Sequence, residues 1–253
     1  MAFSVAAKAS TNVPDLLQDD FYEKFPFQQP SDIFNYIQFR KPDGGSDKMI
    51  QILDEFSSKY PMYKLSKEKA ILLAKIVEDK KPKQVLEIGS FFGYSALYIA
   101  TSMPAGSTLT CIEANPANAE VARYVFNAAL SKDSLSSVQL LEGISSNVIQ
   151  SDAFTSKYSE QIDFIFMDHD KETYLYDLKI LENLNLLAPM CTIVADNVVF
   201  PGAPAFLDYV QTNQSKSRQY NTKLISVPFE RIGFETNWKQ VDDAMSVTTS
   251  VPI

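Results

Sequence analysis

The chain has 253 residues, of which 45% are hydrophobic, enough for one α/β domain with a full core or for one domain plus an extension. The formal net charge is -8 and the pI is about 4.8, and the clearest basic cluster, at Lys80, Lys81 and Lys83, is short. This composition argues against nucleic acid as a partner and favours a small-molecule substrate.

Residues 1 to 30 lack a strong periodicity, but four aromatic residues at positions 21, 22, 25 and 27 indicate that this arm packs against something. The first residues lack the basic start and long apolar stretch of a signal peptide, so we interpret them as a frayed tail, with a weak organelle-targeting peptide as the alternative. A short helix is predicted at residues 33–39, followed by a loop at 41–45. We therefore divide the chain into an arm, residues 1–45, and a main domain, residues 46–253.

Helical spacing of apolar residues predicts a helix around residues 49–56, and Ser66 can cap the next one. From residue 84 onward, short strands alternate with helices. Five strands are predicted at residues 85–88, 109–112, 138–141, 164–167 and 192–195, with two later ones at 223–227 and 244–251. Helices are predicted at 94–100, after Asn115-Pro116 and from Pro204. The pattern is typical of a doubly wound α/β fold, a mostly parallel sheet with helices on both faces.

The two cysteines, Cys111 and Cys191, each lie in or beside an apolar run and are interpreted as small buried hydrophobes. The sequence contains no run of about 18 apolar residues, the length that a membrane span needs. We expect a cytoplasmic protein without a membrane partner, as a monomer or homodimer.

A glycine turn at residues 89–93 joins a strand to a helix, which is where α/β sheets bind ligands. A dinucleotide-binding loop would carry glycines where Phe91 and Tyr94 stand. The actual glycines, Gly89 and Gly93, are spaced for a nucleoside without phosphates rather than for NAD. Glu113 follows the second strand and can accept both hydroxyls of a ribose; a solvated strand-end carboxylate is the alternative interpretation.

Polar residues follow two further strands. Asp168, His169 and Lys171 come after the fourth strand, and Asp196 and Asn197 after the fifth. Neighbouring parallel strands would bring these ends to one edge of the sheet, where two carboxylates and an amide oxygen suit Mg²⁺. Lys171 would face the same cleft and could act as a general base. Either motif alone is better explained as a turn, but the two together, with the glycine turn upstream, favour the metal site.

The segment from residue 85 to about 210 resembles the catechol O-methyltransferase family of class I S-adenosylmethionine-dependent enzymes. The matching strings are Val-Leu-Glu-Ile-Gly at 85–89, Gly-Tyr-Ser-Ala at 93–96, Ile-Glu at 112–113, Asn-Pro at 115–116, Gly-Ile-Ser-Ser at 143–146, Met-Asp-His-Asp-Lys at 167–171, Ala-Asp-Asn-Val at 195–198 and Pro-Gly-Ala-Pro at 201–204. Weaker similarity covers residues 46–65 and the C-terminal strands. The resemblance implies a Rossmann-like sheet of seven strands, the last antiparallel.

The resemblance also implies an activity: Mg²⁺-dependent transfer of a methyl group from S-adenosylmethionine to one hydroxyl of a catechol or related vicinal-diol aromatic. It assigns the metal to Asp168, Asp196 and Asn197, and the catalytic base to Lys171. Substrate contacts are assigned to Lys171, Asn197 and Glu230. The cofactor-binding residues it implies are Leu65, Glu87, Gly89, Ser95, Glu113, Ser145, Ser146, Asp168 and His169.

Three positions depart from the family. Asp170 replaces a tryptophan of the animal enzymes, Thr173 replaces a basic residue, and Pro61 lies where an aromatic wall of the substrate pocket is expected. The reaction type is preserved while the substrate pocket differs. Two rivals stay open: a nicotinamide-dependent oxidoreductase, disfavoured by Phe91 and Tyr94, and a non-catalytic small-molecule-binding homologue, disfavoured by the intact metal set.

Overall fold

One seven-stranded sheet organises the computed structural model, which describes residues 29–60, 62–158, 161–228 and 242–253. The strands are β1 (Gln84–Ile88), β2 (Thr108–Glu113), β3 (Val138–Glu142), β4 (Ile162–Met167), β5 (Leu187–Ala195), β6 (Arg218–Ser226) and β7 (Ala244–Pro252). Their order is β3-β2-β1-β4-β5-β7-β6, with β7 antiparallel to both of its neighbours and the remaining pairs parallel. The predicted doubly wound, mostly parallel sheet is confirmed.

Helices cover both faces of the sheet. One face carries α1 (Pro30–Arg40), α2 (Gly45–Lys59), α3 (Lys67–Lys80), α4 (Tyr94–Ser102) and α5 (Pro116–Ala129), while the other carries α7 (Ser145–Ile149), α8 (Asp152–Tyr158), α9 (Tyr174–Asn183) and α10 (Pro204–Gln211). A short α6 (Lys132–Ser136) precedes β3. Successive strand residues point into the hydrophobic cores on opposite faces of the sheet. Val85 packs into the core under the first group of helices and Leu86 into the core under the second, as the two-residue period of a strand requires.

The helix caps follow the chemistry read from the sequence. The Ser66 side chain accepts a hydrogen bond from the Lys69 amide at the start of α3. The Asn115 side chain accepts from two amides at the start of α5, and Pro116 occupies the first helical position. Both predicted starts are confirmed, and so is the burial of the two free cysteines.

Several elements differ from the prediction: α6, α7 and α8 were not predicted, and β5 begins at Leu187 instead of residue 192. Helix α9 was not predicted, because its buried face includes Asp177 beside Tyr174, Leu178 and Leu181, and a charged residue on the core side blurs the apolar pattern. Strand β6 begins at Arg218, earlier than expected, because it is an edge strand whose first residues alternate buried and exposed and include polar side chains.

Several sequence-based statements fall on residues outside the described ranges: the aromatic arm before residue 29, Pro61 and Glu230. Within those ranges, no helix combines the length and apolarity that crossing a membrane would require.

Candidate active site

The candidate residues lie at the carboxyl edge of the sheet. Met167 of β4 and Ala195 of β5 are register partners, so Asp168 and Asp196, each one residue further, leave the sheet side by side. The buried Tyr174 hydroxyl donates to the Met167 carbonyl at 2.8 Å and to the Asp196 carbonyl at 3.2 Å, joining the two strand ends. The sequence expectation that these ends meet at one edge agrees with this register.

Gly89 brings the turn after β1 against the same edge. Its φ of +91° lies in the left-handed region, and a Cβ placed there would lie 2.6 Å from the Asp168 carbonyl oxygen. A glycine is therefore required both by conformation and by close approach of two backbones. The turn that would hold a cofactor thus touches the segment carrying Asp168.

Glu113 is buried at the end of β2 and ties that turn in place. Its carboxylate accepts hydrogen bonds from the Phe91 amide at 2.8 Å, the Asn115 amide at 2.9 Å and the Asn118 side chain at 3.4 Å. Burial raises the pKa of Glu113, and the amide hydrogen bonds oppose that rise. Phe91 has a φ of 48°, an uncommon value for a bulky residue, and its bond to Glu113 helps hold that conformation.

Glu87 of β1 is fully buried, and among the described residues neither of its oxygens has a hydrogen bond of good geometry. Burial raises its pKa to about 7; nearby Ser95, Ser90 and Cys111 oppose the rise, and the negative charge of Asp168 adds to it. A buried, unsatisfied carboxyl facing a glycine turn is suited to a cationic ligand group, which would favour the ionised form.

The raised pKa of Glu87 predicts a pH-dependent stability of the protein without cofactor. The folded state holds the Glu87 proton more tightly than the unfolded state does. Protonation of Glu87 therefore adds to the free energy of unfolding, in full below pH 4.5, and this stabilisation is lost as the pH rises through about 7. Glu87→Gln should lack this loss, so its stability relative to the parent should rise by up to about 3 kcal/mol across that window. Urea unfolding at several pH values measures it.

A control for that measurement is Glu120→Gln, which changes an exposed glutamate on α5. Its unfolding free energies should run parallel to those of the parent at every pH. If the unfolding free energy of Glu87→Gln also runs parallel to that of the parent across this pH range, the proton on Glu87 does not contribute to stability.

His169 and Ser145 converge on Asp177, a fully buried residue that sequence reasoning missed. The Asp177 carboxylate accepts from Ser145 Oγ at 2.5 Å and from His169 Nε2 at 2.8 Å. His169 Nδ1 is buried and has no hydrogen-bond partner among the described residues. With Nε2 bonded to the carboxylate, Nδ1 of a neutral ring is an acceptor for a ligand. Ser146 lies beside Ser145, half-buried in the first turn of α7.

Lys171 pairs with Asp168. Its Nζ lies 2.7 Å from Asp168 Oδ1, and both side chains are partly exposed, at 15% and 21%. The lysine begins a single 3-10 turn that Asp170 caps by accepting from the Glu172 amide. The predicted base and the predicted metal ligand are thus in direct contact at the mouth of the site.

A second lysine, Lys69 of α3, contacts the other strand end, and it was not predicted. Its Nζ lies 2.8 Å from Asp196 Oδ1 and 2.7 Å from Asp243 Oδ2, with all three side chains buried. Asn197 Nδ2 donates to the same Asp243 oxygen at 2.8 Å. The sequence did contain a signal for Lys69, which stands on the stripe of Leu73 and Val77, an apolar face where a solvated lysine does not belong.

The donor set at this edge fits a hard divalent cation. Within the described ranges no three His, Cys, Asp or Glu side chains cluster as a metal site, so the candidate set has two carboxylates, Asp168 and Asp196, and one amide, Asn197. Asp196 Oδ1 is buried and lies 2.8 Å from the Lys69 ammonium. Among the described residues at this edge, the ion pairs join three aspartates, Asp168, Asp196 and Asp243, to two lysines, and the excess of carboxylates favours a cation.

The remaining predicted cofactor residues surround the glycine turn. Leu65 is buried just before α3, and Ser95 is buried in the first turn of α4, the helix that the turn enters. Of the predicted site residues, the structure brings Asp168, Lys171, Asp196 and Asn197 to one edge, with Gly89 in contact with the Asp168 backbone. It places Ser145 and His169 together on Asp177.

Comparison with known proteins gives three consistent findings. A family model described as O-methyltransferase matches residues 45–237. "Catechol O-methyltransferase B" of Danio rerio is 33% identical over 76% of this chain and 72% of its own length, and "Transmembrane O-methyltransferase" of Homo sapiens is 33% identical over 77% and 67%. The crystal structure of an O-methyltransferase from Bacillus cereus in complex with SAH matches with a TM-score of 0.63 at 18% identity, covering 91% of this chain and 96% of that one.

Proposed function

This chain belongs to the O-methyltransferase family as an S-adenosylmethionine-dependent enzyme, and we propose that it transfers the methyl group to one hydroxyl of a catechol or similar aromatic vicinal diol with the help of Mg²⁺. The observation that carries the proposal is the pairing of two strand ends. Asp168 with Lys171 and Asp196 with Asn197 lie at adjacent carboxyl ends of β4 and β5.

We assign the cofactor to the groove along the first three strand ends. Glu113 would accept the ribose hydroxyls, for which its two oxygens remain suited while they hold the Phe91 and Asn115 amides. Ser145, Ser146 and His169 would line the adenine. A second group would surround the methionine part: Leu65, Glu87, Gly89 and Ser95. Buried Glu87 would face its ammonium group, a charge pairing that burial strengthens.

We assign the cation to Asp168, Asp196 and Asn197. A bound magnesium ion would supply Lewis-acid polarisation of a diol oxygen. Lys171, next to Asp168, would first release its own ammonium proton to solvent and then, as the neutral amine, take the proton of the attacking hydroxyl at Nζ. The sheet edge would hold the diol and the cofactor in fixed orientation, which contributes a large part of the rate in displacement reactions. Glu230, outside the described residues, is retained as a proposed acceptor for the hydroxyl that is not methylated.

The rival activity of a nicotinamide-dependent oxidoreductase is excluded by the family to which the chain belongs. A non-catalytic homologue is disfavoured because Lys171 and the three proposed ligands are all present.

The substrate class is tested by comparing a catechol with its two monophenols. A diol can fill two positions of an octahedral Mg²⁺ shell, whereas a phenol fills one, so we expect kcat/KM for each monophenol to be lower by roughly tenfold or more. Methyl transfer from labelled S-adenosylmethionine gives all three values. Similar kcat/KM for the three compounds would mean that the diol is not chelated, and the proposed substrate class would be wrong.

A further inference from the structure

Lys69 is a buried charge in an apolar helix face. Its side chain is 0% exposed, and its neighbours on the buried face of α3 are Ala70, Leu73 and Val77. A buried ammonium group is tolerated only with close ionic partners, because leaving water is costly. Among the described residues, its partners include two carboxylates from distant parts of the chain, Asp196 and Asp243.

Asp243 accepts hydrogen bonds from the turn that follows β5. Its Oδ1 accepts the Phe200 amide at 2.9 Å and the Val199 amide at 3.3 Å, while Oδ2 accepts from Lys69 and from Asn197. The residue directly precedes β7, which pairs with β5 through the end of that strand. Lys69 and Asp243 therefore form a bridge from α3 to the two proposed ligands that follow β5.

The bridge fixes the orientation of the Asn197 amide. Its Nδ2 is committed to the Asp243 carboxylate at 2.8 Å, so Oδ1 is the end of the amide that can ligate a cation. The backbone φ of Asn197 is 54°, in the left-handed region that asparagine tolerates. The hydrogen bonds from the Val199 and Phe200 backbone amides to Asp243 help to hold this turn.

The bridge also restricts Asp196. The Lys69 ammonium lies 2.8 Å from Oδ1, so this carboxylate can offer a cation one oxygen at most. Single-oxygen carboxylate ligands suit the compact octahedral shell of Mg²⁺. Ca²⁺ takes more ligands at longer distances and often uses both oxygens of a carboxylate.

We propose that Lys69 and Asp243 are positioning residues: Asp243 orients Asn197 as a ligand, and Lys69 limits Asp196 to one oxygen and thereby makes the site select Mg²⁺ over Ca²⁺. This inference rests on the proposed metal site, and it adds the residues that set the cation preference. Neither residue would touch substrate or cofactor; both act through the ligands.

The experiment is calorimetric titration of the full chain with MgCl₂ and, separately, with CaCl₂. The binding heat that is lost in Asp196→Asn, which removes a proposed ligand, is the heat of binding at this site. The wild type should bind Mg²⁺ more tightly than Ca²⁺. If Asp196→Asn leaves Mg²⁺ binding unchanged, the metal site of the proposed function fails. If the site binds Ca²⁺ at least as tightly as Mg²⁺, only the present inference fails.

Lys69→Gln removes the charge that blocks Asp196 Oδ1. We expect both cations to bind more tightly and the preference for Mg²⁺ to fall by roughly tenfold, in the range of effects from residues behind a ligand. A purely structural role would instead weaken both cations by the same factor, and that result would overturn the proposal. Leu73→Ala is the matched control, since it destabilises the same face of α3 without changing charge and should leave the preference unaltered.

Asp243→Asn separates the orientation of Asn197 from the restriction of Asp196, and it remains informative if Lys69→Gln does not fold. It leaves Lys69 beside Asp196 but removes the charged acceptor of the Asn197 amide. Mg²⁺ affinity should fall by roughly tenfold or more while the preference over Ca²⁺ is kept. Unchanged Mg²⁺ affinity in this variant would show that Asp243 does not orient Asn197, and the proposal would be wrong.

Discussion

Exhaustive chelation of divalent metal is expected to reduce methyl transfer to background, and addition of Mg²⁺ is expected to restore it. The reason is the donor set at the ends of β4 and β5, two carboxylates and an amide whose arrangement is suited to a hard cation. Without the cation, the diol would lose both its anchor and the polarisation of its oxygen. Initial rates with a catechol, measured before and after treatment with EDTA, provide the measurement.

Two controls separate loss of the metal from loss of the fold. The treated protein should remain folded and unfold cooperatively, at a midpoint lowered only by the lost free energy of metal binding, because Lys69 and Lys171 form ion pairs with the carboxylates when no metal is bound. Asp196→Asn should need a much higher Mg²⁺ concentration for the same rate. Full activity after chelation, with the metal content verified, would contradict the proposed metal dependence.

The sheet and the strand-end residues could be predicted because they follow local rules. Buried strands such as residues 85–88 and 164–167 are short apolar runs bounded by turn residues, and parallel strands bring their carboxyl ends together. The positions of Asp168 and Asp196, directly after the runs at 164–167 and 192–195, were therefore sufficient to place them at one edge. No contact over a long sequence separation had to be known.

The residues behind that edge could not be predicted in the same way. Lys69 meets Asp243 across 174 residues of chain, and Asp177 meets Ser145 across 32. Each pair is visible only when the two segments that carry it are packed together. Locally, Lys69 on the apolar stripe of α3 signals only that it needs a partner, not which one, and Asp177 only blurs the apolar pattern of α9. What distinguishes them is the absence of solvent, which is a property of the folded protein rather than of their neighbours in sequence.

Lys171→Met is expected to lower the rate of methyl transfer by roughly 10²-fold or more, the usual effect of losing a positioned base. Binding of S-adenosylmethionine should change little, because Lys171 lies at the strand end with Asp168 rather than among the residues that hold Glu113 and its turn. Single-turnover rates with a catechol measure the chemical step. Near-normal turnover at pH 7 would mean that Lys171 is not the base.

Lysine at this position could also act by charge alone, and two further variants distinguish the roles. Lys171→Arg keeps a cation beside Asp168 but cannot readily give up its proton, so a base requires this variant to be nearly as slow as Lys171→Met. Lys75→Met removes an exposed lysine paired with Asp79 on α3 and should leave the rate unchanged. Since the Lys171 ammonium occupies Asp168 Oδ1, Lys171→Met should also bind Mg²⁺ at least as tightly as the parent. A slower reaction with undiminished Mg²⁺ binding assigns Lys171 to proton transfer, whereas recovery of the rate in Lys171→Arg would assign it to charge.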